Sequence, residues 1–487
     1  MLGLLGRLEQ DDIALAPRDL DVGADPARRG QQERATSLAR LEPCDVGCEQ
    51  IAEPDDRVAA GDPDLAPGGT IQEGTLFLQR CELGAGSLIH ARSHPLVARA
   101  HRAPSAIIGT VDVPTTLLVT NDFPPRVGGI ERTLGALVGA LPGDRVGVFC
   151  PSTGDPTRYD AEAAFPVFRQ PEGSLWPTRS VGRRVRAAAR ELGAEVVLFG
   201  ATYPLALLGP GLAEDGYPYI AAAHGFEYWL SIAPGTHAAI RRATSRASRV
   251  AVMCSAFIAR TVRTAVPVDV PVSVLYPGAD IERFRPDLET DGIRSALGVG
   301  DRPLVVCVSR LVPRKGQDVL IRAMGSIRAR VPDAMLLIVG EGPYGAKLRA
   351  MATAAPAGSV IFAGEVSEED LPGYYAVGDV FAMPCRTRAA GLEVEGWGNV
   401  FIEAAACGRP VVVGDSGGAP ESLIDGETGL CVDGRRVDAV ADAVATLLAD
   451  PGLARKMGEA GRARVVRSHS WPVIAGRLAG WLRAAVG

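Results

Sequence analysis

Leu304-Val-Val-Cys-Val-Ser-Arg-Leu-Val-Pro-Arg-Lys-Gly-Gln-Asp318 reads as an apolar strand, a basic loop and the start of a helix that continues to Arg330. A strand apolar at nearly every position is buried on both faces, as in a parallel sheet with helices above and below it. Further strands of this kind follow at Met335–Val339, Val360–Phe362, Val380–Met383 and Pro410–Gly414, with a helix starting at Asn399. Upstream the same texture recurs at Leu117–Thr120, Arg145–Cys150, Val196–Phe199, Tyr219–Ala223, Val250–Cys254 and Val272–Leu275, with a helix expected over Ile130–Leu141. The fold class is therefore α/β, with two doubly wound Rossmann-like domains facing across a cleft where the carboxyl ends of their strands meet.

The expected boundaries are an irregular extension over 1–112, a first domain over 113–290, a second over 291–468, and a C-terminal helix over 469–487 that packs back on the first domain. A loop from Pro277 to about Gly300 serves as the hinge. The extension carries clusters such as Glu53-Pro-Asp-Asp-Arg-Val and Gly61-Asp-Pro-Asp-Leu-Ala-Pro-Gly-Gly and no helical or strand period. After Met1 the next methionine is Met253. A non-native or disordered extension is expected, with a start near Val111 or Val113. Cys44, Cys48, Cys81, His90 and His94 fall there, at spacings that match no structural zinc pattern.

Composition narrows the class. The chain has 487 residues, 47% of them hydrophobic, and a formal net charge of −6, which gives no footprint for nucleic acid. No apolar run reaches the roughly 20 residues that span a bilayer, and Leu2–Leu5 is too short for a signal peptide. A cytoplasmic protein with reduced cysteines is expected, among them Cys150, Cys254, Cys307 and Cys407 inside apolar segments. Lysine occurs only at 315, 347 and 456, which singles out Lys315 in its loop.

Two carboxylates, Glu395 and Glu403, bracket the turn Gly396-Trp-Gly398 that opens the helix at Asn399. Free amides and the positive dipole end of that helix suit a phosphate, and the carboxylates suit hydroxyls on either side of it. Sugar, diphosphate and ribose in that order describe a nucleotide-diphospho-sugar. Alone, Glu403 equally fits a first-turn glutamate and Glu395 a solvated loop residue. Arg310 and Lys315, at the ligand edge of the same sheet, supply the positive charge a diphosphate needs. Arg314 is expected to be solvated.

Ser309-Arg-Leu-Val-Pro-Arg-Lys-Gly, Gly340-Glu-Gly-Pro343, Glu395-Gly-Trp-Gly and Glu403-Ala, in this order, resemble glycosyltransferase family four, the retaining GT-B enzymes, over about residues 115–485. Thr120-Asn-Asp-Phe-Pro-Pro-Arg-Val-Gly-Gly-Ile130, His224-Gly-Phe-Glu227 and Gly391-Leu-Glu-Val-Glu-Gly396 are most similar to actinobacterial phosphatidylinositol monomannoside mannosyltransferases. The resemblance implies that Arg310 and Lys315 bind the diphosphate and Glu403 the ribose. It further implies that Glu395 and the backbone of Gly396, Trp397 and Gly398 hold the sugar. His224 would lie against that sugar, Gly128 and Gly129 would approach the diphosphate, and backbone around Val366 would read guanine. Trp397 stands where the family more often has Phe or Leu, so crowding of the sugar is an expectation.

The function so implied is retaining α-1,6 transfer of mannose from GDP-mannose to a phosphatidylinositol mannoside. No metal or other cofactor is expected, since Asp19-Leu-Asp21 and Asp62-Pro-Asp64 lie in the extension. The expected partners are the nucleotide-sugar donor, a phosphoinositide glycolipid acceptor and an anionic membrane surface on the inner face of the plasma membrane. Arg179, Arg183, Arg184, Arg186 and Arg190, with Trp176, and Arg241, Arg242, Arg246 and Arg249 are the candidates for that surface; a solvated arginine face fits them equally. Another nucleotide sugar or another glycolipid or polysaccharide acceptor is the rival within the fold, and a non-catalytic binding module the rival outside it. A nicotinamide enzyme is disfavoured because no Gly-x-Gly-x-x-Gly follows the first strand.

Overall fold

The computed structural model describes residues 113–487; the extension and every expectation placed on it lie outside the described residues. Two all-parallel sheets make up the described part. The first joins β1 (Thr116–Val119), β2 (Val146–Pro151), β3 (Val167–Gln170), β4 (Val196–Phe199), β5 (Tyr219–Ala223), β6 (Arg249–Val252) and β7 (Val272–Val274) in the order β3-β2-β1-β4-β5-β6-β7. The second joins β8 (Leu304–Val308), β9 (Met335–Val339), β10 (Val360–Gly364), β11 (Val380–Met383), β12 (Val411–Gly414) and β13 (Gly429–Val432) in the order β10-β9-β8-β11-β12-β13. In each, the order reverses beside the first strand, which opens a crevice at the strands' carboxyl ends.

The helices that matter for the site are α1 (Gly129–Gly139), α2 (Arg179–Leu192), α3 (Glu227–Ile232), α4 (Pro234–Ala243) and α5 (Ala256–Ala265) in the first domain. In the second they are α6 (Gln317–Arg330), α7 (Leu371–Ala376), α8 (Asn399–Ala406) and α9 (Pro451–His469), and α10 (Trp471–Val486) ends the chain.

The continuous apolar reading of the strands has a direct cause. Leu117 and Val119 of β1 and Val197 and Phe199 of β4 pack on one face of the sheet, with Val181 and Val185 of α2. Leu118, Val196, Leu198 and Ile220 point to the other face, where Ile474, Leu478 and Leu482 of α10 cover them. The last helix is thus part of the first domain's core, and the Arg249 guanidinium lies 5.0 Å over the Trp481 ring.

β3 and β13, which the sequence did not announce, are edge strands. All four residues of β3 and three of four in β13 are only half-buried, so neither carries a clear apolar run. The expected hinge loop also contains a short helix, Asp291–Ala296.

Candidate active site in the interdomain cleft

The site is built first by two glycines. Gly316, after the tight turn Pro313–Lys315, has φ of 82°, and a Cβ there would lie 2.0 Å from Pro384 O. Only glycine lets this turn press against the end of β11 and aim Lys315 into the sheet edge. Gly398, with φ of 88°, ends the Glu395 loop and starts α8; a Cβ there would strike the Phe401 ring at 2.6 Å.

These turns bring Lys315 and Glu395 together. Lys315 Nζ is 2.7 Å from Glu395 Oε2, with both side chains nearly buried. Arg314, expected in solvent, has its Nε 3.9 Å from the same oxygen, because the tight turn points both cations to one side. The Glu395 backbone is fixed as well: its amide donates to Ser416 Oγ at 3.2 Å and its carbonyl accepts from Gly418 N at 2.9 Å. Arg310 is exposed, and its side chain has no hydrogen-bond or ion-pair partner among the described residues. Its carbonyl accepts from Gln317 Nε2 at 3.2 Å, and the same amide donates to Ser309 Oγ at 2.8 Å, so the backbone beneath the free guanidinium is anchored.

Glu403 sits one turn into α8, half-buried, and accepts a 2.6 Å hydrogen bond from Tyr375 Oη of α7. Burial pushes its carboxyl above the usual glutamate value, opposed by the Tyr375 hydroxyl and by the charges of Arg132 and Arg283. Tyr375 is a residue the sequence did not flag; one of two adjacent tyrosines in a short helix gives no signal. Arg132, on the first turn of α1, pairs across the cleft with Glu368, which also faces Arg283 at 3.5 Å. Glu368 lies two residues past Val366, at the end of edge strand β10. One ion-pair bridge therefore connects the helix behind Gly128 and Gly129 to the loop carrying Val366. A Cβ on Gly129 would meet nothing within 4 Å, whereas one on Gly128 would meet Glu131 Oε2 at 2.1 Å. Gly129 faces open space, and a side chain on Gly128 would have to displace the Glu131 carboxylate.

From the first domain, His224 follows β5 directly and is buried, its Nε2 2.8 Å from Gly200 O. A carbonyl only accepts, so Nε2 carries the proton and Nδ1 remains an acceptor. Glu227 fixes the backbone: one carboxylate oxygen accepts from His224 N at 2.6 Å and the other from Thr202 N at 3.3 Å. A glutamate three residues after His224 was the available signal for this role.

The two domains touch at the donor loop. A Cβ on Gly396 would lie 3.0 Å from Cys254 Sγ and 4.0 Å from Gly225 Cα, so the loop lies against the first domain only because it has no side chain there. Trp397 does not crowd this space. Its indole is buried between Tyr276, at 4.6 Å between ring centroids, and His469, at 5.6 Å, and Nε1 has no partner among the described residues. Glu421 forms the second bridge, accepting from Ala256 N at 2.7 Å and Phe257 N at 2.8 Å at the start of α5, and from Tyr276 Oη at 3.0 Å.

Of the arginines considered for a membrane surface, Arg184 pairs with Glu172, Arg186 with Asp215 and Arg246 with Glu214, and Arg249 donates to Ser273 Oγ. Arg179, Arg183, Arg190, Arg241 and Arg242 are exposed. Val181, Val185, Ala188 and Ala189 of α2 are spent on the core, while Trp176, just before the helix, is exposed.

Residues 127–283 match the family model described as Glycosyltransferase Family 4, and residues 290–464 the one described as Glycosyl transferases group 1. The chain is 46% identical over 370 residues to the GDP-mannose-dependent alpha-(1-6)-phosphatidylinositol monomannoside mannosyltransferase of Mycolicibacterium smegmatis, covering 74% of this chain and 97% of that one. It is 39% identical to the GDP-mannose-dependent monoacylated alpha-(1-6)-phosphatidylinositol monomannoside mannosyltransferase of Corynebacterium glutamicum, over 76% of this chain and 98% of that one. Among solved structures, Anabaena HepE in complex with UDP superposes with a TM-score of 0.64 at 21% identity, covering 76% of this chain and 100% of that one, which speaks to the GT-B fold alone. The chain belongs to glycosyltransferase family four.

Proposed function

We propose that this protein transfers mannose from GDP-mannose to a phosphatidylinositol mannoside, forming an α-1,6 linkage with retention. The observation that carries the reading is the donor wall: the Lys315–Glu395 pair beside the open Gly396–Gly398 turn at the head of α8. The mannosyltransferase relatives agree with it. In this reading Arg310 and Lys315 neutralise the diphosphate as the glycosidic bond breaks, and the α8 amides receive the phosphate. Glu395 and the Gly396–Gly398 backbone hold mannose hydroxyls, His224 Nδ1 accepts from one of them, and Glu403 takes the ribose diol. Backbone at Val366 reads the base, and Gly129 leaves room for the diphosphate.

These fixed cations support a metal-independent reaction. Full activity after chelation with EDTA is the expected outcome, and a loss restored by a divalent cation would reject it. The enzyme is placed on the inner face of the plasma membrane, held there by the exposed arginines. No helix among the described residues is long and apolar enough to cross a bilayer. A panel of nucleotide sugars against membrane lipids tests the function. Transfer from GDP-mannose to a phosphatidylinositol mannoside supports it, and transfer only from UDP-sugars rejects it.

A further inference from the structure

α3 occupies an unusual position. It starts two residues after Gly225, which lies against Gly396 of the donor loop, and Tyr228 Oη donates to Gly391 O of the second domain at 3.2 Å. The helix thus runs along the mouth of the cleft. Its inner side is anchored: Glu227 and Ser231 are buried, and the Tyr228 ring stacks on Phe257 with centroids 5.9 Å apart. Its outer side presents Trp229 and Ile232, three residues apart and so neighbours on the helix surface, with Phe226 just before its first turn. They are 37%, 53% and 58% exposed, and Leu392, next to Gly391 on the opposite lip, is 50% exposed. Large apolar side chains gathered at a site entrance mark a surface that apolar matter covers in use.

The proposed acceptor has such matter. Its sugar head group must enter between His224 and the Glu395 loop, so its acyl chains leave the cleft at this mouth. The next helix, α4, carries exposed Arg241 and Arg242 in its last turn, charges that suit an anionic lipid head group. Resting on the reading of a lipid-linked acceptor, we propose that the outer face of α3 and Leu392 form a lip that takes the acyl chains of the acceptor while its head group reacts. The lip selects acylated over soluble acceptors and presents the head group without lifting the lipid out of its bilayer.

The test compares wild type with Trp229→Ser/Ile232→Ser, and separately with Leu392→Ser. Each is assayed with phosphatidylinositol mannoside in vesicles and with the same head group after deacylation. For Trp229→Ser/Ile232→Ser the KM for the vesicle acceptor should rise about tenfold or more, with kcat/KM for the deacylated head group and KM for GDP-mannose unchanged within about twofold. Leu392→Ser should move the vesicle acceptor's KM in the same direction by less. Equal losses on both acceptors would mean the helix only shapes the cleft, and no change on either would mean the lip is idle; both overturn the proposal. A wild-type protein that mannosylates neither acceptor removes the functional reading itself, and the lip with it.

Discussion

Lys315 and Glu395 show how one contact serves both structure and chemistry. The pair is nearly buried, so removing one partner leaves the other charge without compensation. Lys315→Ala should lower kcat by about a hundredfold or more, the scale of losing an electrostatic stabiliser of the transition state. It should also lower the melting temperature, and adding Glu395→Gln should restore the temperature without restoring turnover. Unchanged turnover in Lys315→Ala would contradict the assigned role. Glu403 makes the opposite trade. Its carboxyl is raised by burial, so the folded state holds the proton more tightly than the unfolded chain. Its contribution to stability is therefore fully present below the ordinary glutamate pKa and is lost as pH rises through the raised value. Glu403→Gln, neutral at every pH, should be more stable than wild type near pH 8, with the gap closing as pH falls towards 4, and should bind GDP-mannose more weakly. Thermal melts across pH alongside donor titration check both halves; a variant less stable at pH 8 would refute the desolvation argument.

At the scale of elements, the junction of α9 and α10 carries the hinge. His469 is buried against Tyr276 and Trp397, and burial, helped by Arg464 and Arg477, depresses its pKa to about 3. It stays neutral in the fold but protonates in the unfolded chain near pH 6.5. The stability this represents is present above pH 6.5 and drains away as pH falls towards 3. His469→Gln should flatten the loss of melting temperature between about pH 6.5 and 4 relative to wild type, measured by differential scanning fluorimetry; parallel curves would show that His469 is not responsible. α10 was legible as an apolar helix flanked by tryptophans. It was also expected against the first domain; which strands it covers, with Leu478 fully buried among β1, β4 and β5, was not, because sequence period gives a helix its face and leaves the register of its packing open.

For the whole molecule, the domains are joined by long-range contacts at the cleft as well as by the hinge. Glu421 of the second domain takes two amides at the start of α5 and the Tyr276 hydroxyl, whose pKa is pushed up to about 12, so it remains a donor throughout the working pH range. Arg132 and Glu368 bridge the cleft a second time. Glu421→Ala should leave each domain folded while freeing their relative motion. A larger radius of gyration in solution scattering without donor, and a higher KM for GDP-mannose, are expected; an unchanged scattering profile would mean the bridge does not hold the domains together.

The alternation of apolar strands and helices, the glycine turn at Gly396–Gly398, and the charges at Arg310, Lys315, Glu395 and Glu403 were all readable in the chain, because each obeys a local rule of period, φ or charge. The strands β3 and β13 were not: β3 ends in Arg169 and Gln170, and β13 is only four residues long and opens on a glycine, so neither gives a distinct strand period. Nor were the contacts that join distant segments: Tyr375 on Glu403, Glu421 on α5, Arg132 on Glu368, and Trp397 on Tyr276. Local sequence determined which groups this chain brings to the cleft. Tertiary structure alone decided which of them are neutralised, exposed or buried, because those properties depend on what the fold places within a few ångströms of each charge.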